Sequence, residues 1–267
     1  MLRFAVSRAH GGGAQLLEHA RGFADVLGKL LRSTVKLVVA RDYDHLLQGT
    51  LGGGIDVAWM PPLVHCRATA EGALLAAVSE RSGAVTYRSA LLTRVEAPYL
   101  NVRSLHGARA AWSDPRSAGG YLFPRLHLEA AGLELRRDLV GENFYGSPEA
   151  ACAAVADDVA DVCACFVSEA AGADRARALA DVARLYPPAA ERLRVLDVTE
   201  SIPPDGVVLA PSLDGALAAQ VRDRLLLLHE RGGGEALHAL MHADRLAPVT
   251  ESVRKILARL HQFVERL

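Results

Sequence analysis

The chain lacks what several functional classes require. Nowhere in its 267 residues is there a run of 18 apolar residues, which excludes a transmembrane helix and any direct membrane insertion through one. Neither sign of charge is in excess: 30 Lys and Arg meet 31 Asp and Glu, for a net charge of −1. No overall basic field therefore speaks for nucleic acid or for an anionic lipid surface. The start, "MLRFAVSRAHGGG", lacks the longer apolar segment and small-residue cleavage site of a secretory leader. The expectation is a cytoplasmic protein as the sequence stands, or a periplasmic one if a leader has been removed.

Cysteine is scarce as well. Of the four present, Cys163 and Cys165 alternate in "ADVCACFV" and share one face of a strand. No second pair with metal-ligand spacing follows, so they read as small buried apolar residues, and neither a metal nor another cofactor is expected. The standard nucleotide fingerprints are missing too. The glycines of "GTLGGGIDVAW" precede a strand instead of leading from one into a helix, and no Walker pattern occurs. "HGGG" at 10–13 resembles a hydrolase oxyanion loop, but no Gly-x-Ser-x-Gly elbow accompanies it, so it reads as a flexible loop. His238 and His242 lie four apart without a glutamate after the first, and His65 beside Cys66 has no visible partner; all three read as structural positions.

What is present is an ordinary globular balance, 51% hydrophobic and 23% charged, in a length that suits one large domain or two lobes. "LRFAVS", "TVKLVVA" and "IDVAWM" read as strands, with helical spacing from Gln15 to Leu31 and in "DYDHLLQGTL". A long strand, "AVTYRSALLTRV", precedes a second set: strand "ARAAWSD", a helix over 121–131, strand "LELRRDLVGENFYG", a helix capped by Ser147 with Pro148 at its first position, and strand "VADVCACFVS". Prolines and short strands over 186–211 suggest a return path, and 212–267 reads as largely helical. The two sets share a plan, although no close repeat at a fixed period occurs. Alternating strands and helices imply an α/β architecture of two lobes, each a mainly parallel sheet flanked by helices.

One corner combines several ligand-binding features. "ARAAWSD" ends a strand, Ser117-Ala118-Gly119-Gly120 makes the turn, and "YLFPRLHLEAAGL" begins a helix. Free backbone N–H groups and the positive end of a helix dipole meet at such a place, glycines admit a close approach, and Ser117 adds a hydroxyl. The same geometry also describes an empty, well-capped helix start.

Taken together, "LRFAVS", "VKLVVARDYDHLLQGTLGGGIDVAWMPPLVHCRA", "TYRSALLTR", "LHGARAAWSDPRSAGGYLFPRLHLEAAGL", "FYGSPEAACAAVADDVADVCACF" and "VTESIPPDGVVLAPSL" resemble, in order and spacing, the substrate-binding proteins of phosphate, phosphite and phosphonate ABC transporters. The resemblance covers most of residues 2–212. It implies a type II periplasmic-binding fold with a ligand cleft between a first lobe of 1–90 and 205–267 and a second of 91–204. It implies a small anionic ligand and, as a possible partner, a transporter permease. The family's Ser-Thr-Ser-like turn falls on Ser117, Ala118 and Gly119, followed by Gly120, so two hydroxyls are missing. Tyr43 falls on a cleft tyrosine, and Tyr87 and Ser89 on a Tyr-x-Ser element. Asp161 falls on an acidic second-lobe residue, and Gly146-Ser147-Pro148 on a Gly-Ser-His loop whose histidine is absent here. These departures imply altered specificity or a vestigial site, not the standard phosphonate specificity. Two other functions are compatible with the same fold: an enzyme acting on a carboxylated small molecule through Asp161 or Asp114, and an effector-sensing module of a DNA-binding regulator, which would carry a helix-turn-helix that is not seen before the first strand. Fold alone does not decide among them.

Overall fold

The structure, a computed structural model, describes residues 1–11, 13–187 and 191–264. Gly12 of the HGGG loop, residues 188–190 of the return path and the last three residues of the tail lie outside the described residues. The chain divides into two compact units, Met1–Val85 with Pro203–Leu267, and Thr86–Ile202.

The first unit begins with β1 (Leu2–Ser7), α1 (Gly13–Leu31), β2 (Val35–Ala40), α2 (Tyr43–Leu51), β3 (Val57–Met60), α3 (Pro62–Ala70) and β4 (Leu74–Glu80). The second unit holds β5 (Tyr87–Arg94), β6 (Ala108–Trp112), a π-helical turn at Ala118–Leu122 that runs into α4 (Phe123–Ala130), α5 (Leu135–Asp138), β7 (Leu139–Phe144), α6 (Pro148–Ala156), β8 (Val162–Ser168), α7 (Arg175–Leu185) and β9 (Leu193–Val198). The chain then completes the first unit with β10 (Gly206–Leu209), α8 (Gly215–Leu226), α9 (Gly234–Met241), β11 (Arg245–Ala247) and α10 (Glu251–Val264). Local chemistry explains the starts of several helices. Asp42 accepts a hydrogen bond from the N–H of His45 at the head of α2, and Ser147 accepts one from Ala150 at the head of α6, where Pro148 forgoes a donor the first turn does not need. Along α1, Leu16, Ala20, Phe23, Ala24, Leu27 and Leu31 recur at helical spacing and are buried, so one stripe of the helix lies in the core.

Both sheets are mixed, whereas the sequence reading expected mainly parallel ones. The first is ordered β11-β4-β10-β3-β1-β2 and the second β7-β6-β8-β5-β9. In the first unit β1 pairs in parallel with β2 and β3, while β10 lies antiparallel between β3 and β4 and β11 is antiparallel to β4. In the second, β6 pairs in parallel with β7 and β8, and β5 lies antiparallel between β8 and β9. The physical reason is the same in each. The strand nearest a chain crossing carries no βαβ crossover to impose a parallel direction, and it enters between two strands that the pattern alone would have made neighbours. The first crossing also comes earlier than residue 90, because β5 hydrogen-bonds along its length to β8 and β9 and so belongs wholly to the second unit. Three elements absent from the sequence reading are α3, β4 and the edge strand β11, and the expected strand at 133–146 opens instead with the short helix α5.

One ion pair occurs twice in equivalent places. Asp56, just ahead of β3, accepts hydrogen bonds from the backbone N–H of Arg3 (2.7 Å), its Nε (2.9 Å) and its Nη2 (2.7 Å), while the Asp56 N–H donates to the Arg3 carbonyl (3.0 Å). Asp161, just ahead of β8, accepts from the N–H (2.8 Å), Nε (2.8 Å) and Nη2 (3.0 Å) of Arg109, and its N–H donates to the Arg109 carbonyl (2.8 Å). The partners are 53 and 52 residues apart. Aligning the pairs superposes Arg3-x-Ala5-x-Ser7 on Arg109-x-Ala111-x-Ser113, with Ala5 opposite Ala58 and Ala111 opposite Cys163. The two units therefore share a register that no fixed-period repeat announces.

Burial alone would raise the Asp161 carboxyl, but the bonds from Arg109 outweigh it and hold the group below its usual range. Replacing Asp161 by Asn keeps the shape and removes the charge. The expected cost is about 1.5–3 kcal/mol, the range for hydrogen bonds to a charged group, seen as a lower midpoint in urea denaturation without loss of two-state folding in the second unit.

Two buried histidines give the fold an acid limit. The Nε2–H of His65 on α3 donates to the Pro204 carbonyl (2.9 Å). Burial pushes both His65 and His10 down to about 4, because the imidazolium loses its hydration. In the unfolded chain an imidazole titrates near ~6.5. Between these values the unfolded state holds more protons, so stability is complete above the unfolded value and is lost as pH falls toward 4. The melting temperature should drop between pH 7 and pH 5, and the drop should be shallower in His65→Gln, which keeps an N–H donor for Pro204 but does not titrate.

Candidate functional site

In the second unit the corner after β6 is built from backbone constraints. Ser117 Oγ accepts from the N–H of Gly120 (3.0 Å), and the N–H of Leu122 donates to the Ser117 carbonyl (3.0 Å). Pro124 has no N–H to offer the carbonyl four residues back, so the Gly120 carbonyl accepts instead from Ser113 N–H (3.2 Å). The N–H of Phe123 reaches back five residues to Ala118, closing a π turn where the sequence reading placed a helix from 121. Such turns are enriched at functional sites. The N–H groups of Ala118 and Gly119 stand at the head of this helical stretch, ahead of any carbonyl of its own. They are the donors the corner presents, whereas the Gly120 N–H is spent on Ser117.

The glycines are required by close approach. A Cβ at Gly119 would lie 2.9 Å from Ser89 Oγ and 3.0 Å from Tyr87 Cε2. One at Gly120 would lie 1.9 Å from Ser113 Oγ and 2.9 Å from Ser117 Oγ. The corner therefore brings Tyr87, Ser89, Ser117, Ala118, Gly119 and Gly120 together. Ser89 is placed differently from a ligand contact, because its hydroxyl donates to the Gly119 carbonyl (2.6 Å) and so spends its one proton holding the turn. Tyr87 is buried and packs its ring on Phe166, with centroids 5.2 Å apart. Ser147 joins the group through its neighbour, since the N–H of Gly146 donates to the Ser113 carbonyl (2.8 Å), while its own hydroxyl oxygen caps α6.

Two expected residues are not part of this corner. Asp161 precedes β8 and is bonded to Arg109 at the start of β6, whereas the corner follows the far end of β6; β6 and β8 run parallel, so the carboxylate and the corner sit at opposite ends of the sheet. Asp161 is a register clamp and has no route to an anion at the corner. Tyr43 lies in the other unit, buried at the start of α2.

Sequence reasoning missed Ser113 and a cluster in the first unit. Ser113 is fully buried, and its hydroxyl has no hydrogen-bond partner among the described residues. In the first unit His10 stacks on Trp59 (centroids 3.9 Å, planes at 11°) and meets Tyr43 edge-on (5.0 Å, 88°). The His10 Nε2 is buried without a partner among the described residues. Trp59 Nε1 and Ser79 Oγ donate to Asp205, which also pairs with Arg81 (2.9 Å). Burial would raise the Asp205 carboxyl, but Arg81, Trp59 and Ser79 outweigh it and hold it below the usual range. The available signal was positional: His10 follows the first strand as the corner follows β6.

Gly120→Ala tests the close packing. The added methyl meets Ser113 and Ser117 in a buried turn, so a loss of about 1–3 kcal/mol is expected from overpacking. Ser113→Gly in the same chain should restore part of it, and thermal melts of the single and double variants measure both.

Comparison with known proteins places the chain. A family model described as ABC transporter, phosphonate, periplasmic substrate-binding protein matches residues 12–253. The phosphate-import protein PhnD of Mycolicibacterium smegmatis is 29% identical over 113 residues, which are 40% of this chain but only 35% of that protein's length. Among solved structures, PhnD1 of Prochlorococcus marinus in complex with methylphosphonate superposes with a TM-score of 0.83 at 16% identity, covering 100% of this chain and 98% of that one. XAC2383 of Xanthomonas citri, solved with chloride, gives 0.80 at 20% identity over 99% and 97%. These likenesses show a two-lobed α/β fold of the type II periplasmic-binding kind. The family is one of substrate-binding proteins and not of enzymes, which agrees with Asp161 being occupied by Arg109. Across nearly its whole length, then, this chain belongs to the periplasmic substrate-binding proteins of phosphonate ABC transporters.

Proposed function

We propose that the protein binds a small tetrahedral oxyanion, of the phosphate, phosphite or phosphonate class, and delivers it to a transporter permease. The observation that carries this reading is the Ser117–Gly120 corner, where the Ala118 and Gly119 N–H groups and the Ser117 hydroxyl hydrogen stand at a helix start, in a turn whose glycines let Tyr87, Ser89 and Ser113 pack directly against it. Phosphate import by the Mycolicibacterium relative and the methylphosphonate held by the Prochlorococcus protein support the same ligand class. Tyr43 is proposed to meet the ligand from the other unit as the two close by a hinge motion. No bond is made or broken in this scheme.

The specificity is proposed to differ from that of the family at large. Ala118 and Gly119 stand where two hydroxyls are usual, each worth about 0.5–1.5 kcal/mol net, and Pro148 replaces a histidine. A receptor role implies an extracytoplasmic site of action, which cell fractionation tests against the cytoplasmic alternative. A ligand that binds only the folded state, at a hundred times its Kd, stabilises by about 2.7 kcal/mol. One or more of phosphate, phosphite, methylphosphonate and 2-aminoethylphosphonate should therefore raise the melting temperature by several degrees, with sulfate as the comparison. A melt unchanged by all of them would remove the oxyanion reading.

A further inference from the structure

From the buried, unpartnered hydroxyl of Ser113 we infer that this serine is an additional anion-binding residue of the corner, supplying a hydroxyl donor that positions 118 and 119 do not provide. This rests on the oxyanion reading above.

The equivalence of the two units makes the point. Ser7 and Ser113 occupy the same place, four residues after the arginine of each repeated ion pair and at the end of the equivalent strand. Ser7 Oγ is used by its own loop, accepting from the N–H of Ala9 at 3.1 Å. Ser113 Oγ is as deeply buried and has no such partner. A buried hydroxyl without a hydrogen bond costs the folded state its lost hydration, so retaining one calls for an occasion on which it is satisfied.

Its surroundings supply that occasion. The hydroxyl lies against Gly120 and on the side of Ser117 Oγ, in the space a Gly120 side chain would take. The Ser113 backbone N–H and carbonyl hold the two segments implicated in anion binding, the first through Gly120 and the second through Gly146. The Ser113 backbone thus joins the 117–120 corner to the loop at 146, and its hydroxyl lies against the first of these at Gly120. An oxyanion at the Ala118 and Gly119 N–H groups would take this proton as a charge-assisted bond, about twice as strong as a neutral one.

Isothermal titration of wild type and Ser113→Ala with inorganic phosphate and with methylphosphonate tests this, together with melts of the free proteins. Ser113→Ala is expected to weaken binding about tenfold, the equivalent of a single charge-assisted bond, while the free protein melts no lower than wild type. Ser7→Ala, which removes an engaged hydroxyl, should melt lower. An unchanged Kd in Ser113→Ala, with wild type binding normally, overturns the role of Ser113 and leaves the oxyanion reading intact. A lower melting temperature for free Ser113→Ala overturns it too, since the hydroxyl would then be bonded without ligand. If wild type binds neither probe, the oxyanion reading falls and this inference with it.

Discussion

The bidentate arginine–carboxylate pair at the base of each parallel strand pair is the constraint on which the remaining geometry depends. In the second unit Arg109 and Asp161 exchange side-chain and backbone bonds at one end of β6 and β8, which fixes how far each strand extends at the other. A slip of one residue would break all of these bonds and would turn every side chain of the strand to the opposite face. With the register fixed, β6 ends at Trp112, and Ser113 emerges beside the Gly146 loop. Ligands of open α/β sheets bind beyond the carboxyl ends of the strands, and the pair sets the ends of these strands from the opposite side. With the Arg109 side chain partly exposed, the charge attraction itself adds little; the stability comes from the hydrogen bonds to the carboxylate, and the contribution of the pair to the corner is placement.

The same pair shows why some of the site was readable from sequence and some was not. The corner was legible because its cause is local: Ser117 caps, Gly119 and Gly120 give room, and Pro124 shapes the helix that follows, all within eight residues. The strand and helix pattern of β1 to β3 and of β6 to β8 was legible for the same reason. Asp161 was misplaced because its partner lies 52 residues away, and a family resemblance transfers a residue type without its partner. The mixed sheets were missed because β10 and β5 take their neighbours from the far side of a chain crossing, information that no window of sequence contains. Ser89 was found as a position but not as a role, since its bond to the Gly119 carbonyl spans 30 residues.

An account of the hydroxyls then separates what the fold consumes from what it leaves. Ser89 gives its proton to the turn, while Ser117 and Ser147 lend lone pairs to backbone N–H groups and keep their protons. A hydroxyl that accepts at a cap is polarised and aimed by the bond it accepts, so its proton is presented instead of rotating freely. The backbone N–H groups of Ala118 and Gly119 are aimed by the helix itself. On the proposed reading, an anion seat at this corner would depend more on backbone and cap geometry than on the number of side-chain hydroxyls.

That distinction bears on selectivity. Backbone N–H groups are fixed in direction and can only donate, so unprotonated oxygens satisfy them best. Side-chain hydroxyls can reverse, donating to one oxygen or accepting from a protonated one. On the proposed reading, a corner with fewer reversible hydroxyls has fewer groups able to accept from a protonated oxygen. It would therefore favour the more fully ionised oxyanion. The first unit has the complementary chemistry: His10 is held neutral by burial, with its Nε2 unpartnered among the described residues, beside Tyr43 and Trp59. A neutral imidazole in an aromatic setting reads hydrogen-bond polarity and shape, not net charge. The unpartnered Nε2 can donate or accept according to tautomer, which makes His10 a polar group of the first unit that the described residues leave unused.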